Sequence, residues 1–276
     1  MIESATSDNW QYNYMTHENA DEKRAFLDQG IEIRRAEYMA SGDPWDLEGL
    51  IWPMLLKAEL IEKQEGISSD AELLYEEIGE HCLTIEKAGF GMGPHTSAAF
   101  VAGLCFEKSR RTQIDAFNSY EIVLQMKKEV EANFTEDSLN LSEEEQIDVG
   151  FTKMISFNPV WLQISLASLK CERKDLFEEV VACQIQQFLS LFKILPDELR
   201  DSDDLRVCAQ YMKALLETSR VVLDSDGLEN VKDEFETTVV VSSGEEKKAF
   251  KKTLFSIYKS SKEYSVNEIV NGVLRE

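Results

Sequence analysis

The sequence has few of the residues that break helices and few of those that build catalytic or metal sites. Its 276 residues include 13 Gly, 5 Pro and 3 His. Sandwiches and barrels built of strands need many turns, and they usually contain more glycine and proline than this. The 5 cysteines are odd in number and include no C-x-x-C pair, which argues against a disulfide framework or a zinc site. The composition therefore favours long helices and a reducing environment.

Long apolar runs are also missing from the sequence. The two least charged stretches, 88–106 and 154–169, are interrupted by Gly, Pro, Asn or Gln, whereas a membrane span needs about 20 predominantly apolar residues. Residues 1–14 contain neither a basic start nor an apolar centre, so we expect no signal peptide. These absences predict a soluble, cytoplasmic protein.

Basic residues are scarce relative to acidic ones. The chain has 29 Lys and Arg against 52 Asp and Glu, which gives a net charge of −23. Nucleic acids and anionic membranes would be repelled in general, whereas a basic protein would be attracted and would associate faster. We therefore expect a basic protein partner and neither membrane binding nor general nucleic-acid binding.

The apolar residues recur mainly at helical spacing. Ser69, Ser142 and Ser265 are each followed three positions later by Glu, the capping-box pattern that marks the start of a helix. Pro53 predicts a kink or a break in an early helix. Residues 237–241 form the one good candidate for a strand. The sequence predicts an all-α fold, either an irregular bundle or a short solenoid-like array, with about ten helices and at most one short strand.

The most apolar helices lie in the second half of the chain and predict the centre of the core. These core positions are Phe177, Val181, Ile185, Phe188, Phe192, Met212 and Leu215. The acidic stretch 129–148 is the predicted internal boundary. It divides the chain into a polar segment, 1–17, an N-terminal helical lobe, 18–134, and a C-terminal helical lobe, 135–276. The alternative is that both lobes form one continuous domain.

No pattern supplies a complete catalytic or metal-binding set. Glu77 and His81 lie four residues apart on one helix face, as in part of a di-iron motif, but no second copy is present. We therefore interpret His81 as a histidine at the edge of the core that is paired with Glu77. The glycine-rich stretch 89–95 lacks the preceding strand and the lysine of a phosphate-binding loop. We predict no catalytic residues, no metal and no cofactor.

Two acidic clusters at predicted helix starts exceed what a helix cap requires. The residues are Glu143, Glu144, Glu145 and Asp148 in one cluster, and Asp201, Asp203 and Asp204 in the other. Our hypothesis is a non-enzymatic protein that docks a basic partner through these clusters, as an inhibitor, an immunity-type protein or a regulatory subunit. One alternative is a magnesium-dependent hydrolase that uses carboxylates in a helical pocket. Another is a structural subunit of a larger helical assembly, and the acids would then only solvate the surface.

Overall fold

The regular structure of the chain is helical, and no strand is present in the ranges that the structure describes. This computed structural model describes residues 9–89, 97–135, 160–200, 202–223, 227–239, 248, 251–252, 254–256, 259 and 264–270. No helix within these ranges is long and apolar enough to cross a lipid bilayer. The all-α prediction is therefore confirmed.

The helices are numbered in chain order. The first six are α1 Asn9–Thr16, α2 Ala20–Ser41, α3 Pro44–Glu65, α4 Ser69–Lys87, α5 Ala98–Lys108 and α6 Gln113–Thr135. Residues 160–170 form α7. The others are α8 Lys174–Ile194, α9 Asp197–Arg200, α10 Asp203–Leu223, α11 Glu229–Thr238 and the short α12, Val266–Glu268.

Polar side chains begin the helices largely as their local sequence predicts. The Asp43 carboxylate accepts a hydrogen bond from the Trp45 amide at 3.0 Å, with Pro44 in the first turn of α3. The Ser265 hydroxyl accepts one from the Glu268 amide at 3.0 Å. At α4 the predicted cap is wrong by one residue, because the hydroxyl of Ser68 caps the helix. The box at Ser142 lies outside the described residues.

Two further local expectations are corrected by tertiary packing. Of the kink or break predicted at Pro53, the break does not occur, since α3 continues to Glu65. Pro53 is itself buried beside Met54 and Leu55, and this packing holds the helix together although proline donates no backbone hydrogen bond. The strand predicted at 237–241 is wrong at its first two residues, which end α11. The apolar face of α11, anchored by the buried Phe235, accounts for this extension.

The first of two compact units comprises Met1–Ser119 and Ser265–Val270. Every side chain from Ala98 to Phe106 on α5 is buried, so α5 is the central helix of this unit. Close approach between α4 and α5 depends on Gly79, because an added Cβ would lie 2.4 Å from an edge carbon of the Phe106 ring. The α1 helix packs on α2 in a similar way, with the Trp10 ring over Gly30.

The second unit comprises Tyr120–Tyr264 and Asn271–Glu276, and its helices α10 and α11 both pack on α8. The predicted core positions on α8 and α10 are buried, as expected, with one exception. Phe192 is only partly buried. Its ring stacks on Phe188 at 5.7 Å and lies 5.6 Å below the Arg200 guanidinium. The boundary between the two units falls within α6. That the chain forms separate lobes at 18–134 and 135–276 stays a prediction.

We expect the substitution Phe188→Ala to lower the free energy of unfolding by about 3–5 kcal/mol, because the ring is buried and the substitution leaves a cavity. Phe117, which is 42% exposed, provides the matched control. Phe117→Ala should cost less than about 1 kcal/mol. Urea denaturation of both variants measures the difference, and equal losses would show that the core is misplaced.

Gly79→Ala should destabilise the protein by about 1–3 kcal/mol through overpacking against Phe106. Gly49→Ala is the control, because a Cβ at this helical glycine meets nothing closer than the Arg34 Cδ at 3.6 Å. Alanine stabilises an unobstructed helix by up to about 1 kcal/mol relative to glycine. The two variants should therefore shift the thermal midpoint in opposite directions, and a shift in the same direction would contradict the close contact.

Candidate functional site

Few of the predicted partner-binding residues lie in the described part of the chain. Glu143, Glu144, Glu145, Asp148 and Asp201 lie outside it. Asp203 is exposed in the first turn of α10, and its carboxylate forms an ion pair with Arg206 one turn later. Asp204 belongs to the same helical turn. The role of both clusters in binding stays a prediction, and the Arg206 pair reduces the negative charge that Asp203 presents.

The acidic face of α4 is neutralised by arginines of the same unit. Arg110 binds Glu72, with Nε 3.1 Å from the carboxylate, and Arg111 binds Glu76 at 3.0 Å and also Glu80. These arginines lie in the connection between α5 and α6. The row of carboxylates on α4 is therefore part of the packing of the unit rather than a free acidic surface.

His81 lies beside Glu77 at the core edge, as the sequence predicted. The His81 Nε2 lies 3.5 Å from a Glu77 oxygen, and Arg35 donates to the same oxygen at 2.7 Å. The neighbouring His81 is the largest cause that lowers the pKa of Glu77, and Arg35 lowers it further against the effect of burial. Among the described residues, no three His, Cys, Asp or Glu side chains are grouped to hold a metal ion.

A buried polar cluster joins three helices in the first unit. The Lys108 side chain is 1% exposed, and its Nζ lies 2.8 Å from each oxygen of Glu62. The Tyr75 hydroxyl donates to the same carboxylate at 2.6 Å. Burial and the neighbouring Glu62 carboxylate raise the pKa of Tyr75. Each polar group in this trio therefore has a partner, as a buried ion pair requires.

The neighbouring carboxylate of Glu59 holds the segment Ser265–Val270 against α3. It accepts hydrogen bonds from the Ser265 hydroxyl at 2.8 Å and from the Asn267 amide at 2.7 Å. Val266, Ile269 and Val270 of this segment are buried. Burial is the largest cause that raises the pKa of Glu59, and it outweighs the lowering effect of the two hydrogen bonds and of Lys108.

The sequence contains only a weak signal for this cluster. Glu59 and Glu62 lie three residues apart on an otherwise apolar part of α3. From the sequence alone, two such carboxylates would be assigned to a solvent-exposed face. Lys108 is the last residue of α5, where a lysine is usually explained by the helix dipole. The chemistry of the cluster is structural, because every group contacts another part of the chain.

A second feature that the sequence analysis missed is an exposed apolar corner between α2 and α3. We define the α2–α3 corner as Met39, Asp43, Trp45 and Asp46, which flank the turn at Gly42. Met39 is 80% exposed and Trp45 is 56% exposed. Asp43 and Asp46 form no ion pair within the described part of the chain. The corner thus combines two large apolar side chains with two carboxylates.

The buried thiols are poor nucleophiles. All 5 cysteines are free, and Cys82, Cys105, Cys171 and Cys208 are buried. Burial raises the pKa of the Cys82 and Cys105 thiols, which disfavours the thiolate needed for nucleophilic chemistry. The four buried cysteines therefore act as small apolar side chains in the core.

Comparisons with known proteins supply no relative. No protein-family model, no curated protein sequence and no solved structure matches the chain.

We expect Glu59→Ala to lower the free energy of unfolding by about 1–3 kcal/mol, because the amide of Asn267 loses its acceptor. Glu59→Gln retains an acceptor oxygen and removes the charge, and it should cost less. Chemical denaturation of both variants beside the wild type measures the losses. Equal losses in both variants would contradict the acceptor role.

The same pair of proteins tests the pKa of Glu59. Its pKa in the folded protein is raised above the ordinary value of 4.5, so the folded state binds this proton more tightly than the unfolded state does. The wild type should therefore gain stability relative to Glu59→Gln as the pH falls through the raised pKa towards 4.5. A stability difference between the two proteins that is independent of pH would contradict the shift.

Proposed function

We propose that the chain is an acidic, non-enzymatic binding protein that docks a basic protein in the cytoplasm. The observation that carries the proposal is how the charges are distributed within the net value of −23. The cationic side chains held by carboxylates of the first unit are Arg24, Arg34, Arg35, Lys57, Lys108, Arg110 and Arg111. Cations that would repel a basic partner are thus largely neutralised within the unit.

Acidic side chains without such a partner supply the attraction. Glu32, Asp43 and Asp46 of the first unit form no ion pair within the described ranges. Complementary charge of this kind accelerates association and makes it sensitive to salt. An inhibitor, an immunity-type protein or a regulatory subunit would each use it in the same way.

The second candidate function is that of a structural subunit in a larger helical assembly. Leu73, Ile114 and Phe117 are exposed at 50%, 68% and 42%. Ile114 and Phe117 closely follow Arg110 and Arg111 in sequence, and Leu73 is next to Glu72, which neutralises Arg110. An apolar surface of this kind suits a partner that buries apolar area, and its binding would resist salt.

The test is affinity capture from the native source at low and at high salt, with the bound proteins identified by mass spectrometry. We expect a basic partner that is released by salt. A partner that resists salt would favour the structural subunit. If no protein binds at either salt concentration, the binding proposal fails and the alternative of a carboxylate-dependent hydrolase becomes the leading one.

Matched variants then locate the acidic surface. One variant carries Glu143→Gln and Glu144→Gln, a second carries Asp201→Asn and Asp203→Asn, and a control carries Asp233→Asn and Glu236→Gln. Each variant removes two negative charges from the chain. If a cluster contacts the basic partner, the variant that neutralises this cluster should associate with the partner about two- to tenfold more slowly than the wild type does. Equal losses in all three variants would show that only the net charge matters.

A further inference from the structure

We propose that the α2–α3 corner is a docking surface for a basic amphipathic helix of a partner protein. This inference rests on the proposed function and names both the place and the kind of segment bound. Such a helix would bury its apolar face on Met39 and Trp45, and its lysines or arginines would lie beside the carboxylates of the corner.

The apolar side chains of the corner are of the types that dominate binding energy in protein interfaces. Tryptophan is enriched among the residues whose truncation costs most affinity, and methionine adapts its unbranched side chain to different apolar partners. Met39 lies in the last turn of α2 and Trp45 in the first turn of α3, each three residues from Gly42. Both therefore reach solvent at the same end of the α2–α3 pair.

The charges around the corner select a basic partner. Asp43 and Asp46 form no ion pair within the described ranges, and neither does Glu32, which lies about two helical turns before Met39 on α2. The nearest arginines on α2 are already engaged, because Arg34 binds Glu37 at 2.9 Å and Arg35 binds Glu77 at 2.7 Å. A lysine or arginine from a partner would thus meet carboxylates that no cation of the described chain neutralises.

The backbone of the corner is fixed before any partner arrives. Gly42 has a left-handed conformation with φ of 66°, and its amide donates to the Tyr38 carbonyl. Asp43 caps α3, Pro44 restricts the first turn, and Leu47 is buried below the corner. A preformed surface of this kind loses little conformational entropy on binding.

Other occupants fit the corner less well. A second copy of the chain would bring the same carboxylates against Asp43 and Asp46, and like charges at an interface cost binding energy. Nucleic acid would be repelled by the same groups. The exposed apolar residues Leu73 and Ile114 lack this selectivity, because the arginines beside them are paired with glutamates of α4. They therefore provide matched controls.

The test uses two labelled synthetic peptides, each about 18 residues long and of equal positive charge. One is a Lys/Leu peptide that forms an amphipathic helix, and in the other every Leu is replaced by Gln. Fluorescence anisotropy measures the dissociation constants at low and high salt. We expect the Lys/Leu peptide to bind more tightly than the Lys/Gln peptide, with a salt dependence that reports the ionic contacts.

Variants place the peptide on the corner. Trp45→Ala should weaken binding of the Lys/Leu peptide about tenfold and Met39→Ala about threefold, in the range of interface truncations. Leu73→Ala and Ile114→Ala should change it less than about twofold. Glu32→Gln combined with Asp43→Asn should weaken binding and reduce its salt dependence. Asparagine caps helices as well as aspartate does, so this double variant should keep the circular dichroism and the unfolding midpoint of the wild type.

Each contrary outcome overturns the inference in a recognisable way. If Trp45→Ala and Met39→Ala bind the Lys/Leu peptide as tightly as the wild type does, the corner is not the site, and the proposed function is left intact. If both peptides bind equally, only charge is recognised and the amphipathic partner is excluded. If neither peptide binds at low salt, the inference fails, and the salt-dependent capture decides the proposed function separately.

Discussion

The requirement that a buried ammonium group be neutralised fixes the arrangement of the first unit. Lys108 ends the central helix α5, and its charge is balanced by Glu62 of α3, whose carboxylate also accepts a hydrogen bond from Tyr75 of α4. Removing one partner from such a group costs far more than the pair contributes to stability. The register of three helices is therefore coupled to one charge, and the close contact between Gly79 and Phe106 follows from the same register.

Local features of this fold are readable from the sequence because each depends on neighbouring residues. Asp43 and Ser265 are followed by the amides that they cap, so their helix starts need no tertiary knowledge. The core of the second unit is visible for a similar reason, since its apolar residues repeat at helical spacing. The sequence does not show that Ser68 rather than Ser69 caps α4, because the two adjacent serines carry the same hydroxyl group. Whether Pro53 kinks or breaks its helix is not readable either, because burial, a tertiary property, keeps the helix continuous.

The sites are less readable than the fold because their partners are distant in sequence. Glu59 contacts a residue 206 positions later, and no pattern along the chain relates the two. The α2–α3 corner carried a usable signal, since Met39 and Trp45 flank an evident turn between two capped helices. The acidic clusters gave the stronger compositional signal, so the candidate site was placed there instead. In one of those clusters, the ion pair with Arg206, one helical turn away, reduces the negative charge that Asp203 presents.

The return of Ser265–Val270 to the first unit has a consequence for biosynthesis. Most of this unit is translated before the second unit, yet the Glu59 carboxylate meets Ser265 and Asn267 only after Tyr120–Tyr264 has been translated. Contacts of such large sequence separation form slowly. During translation α3 therefore exposes the apolar surface that Val266, Ile269 and Val270 later cover. Until these residues have been made, this apolar surface is exposed to aggregation, as transiently exposed apolar surface is in general.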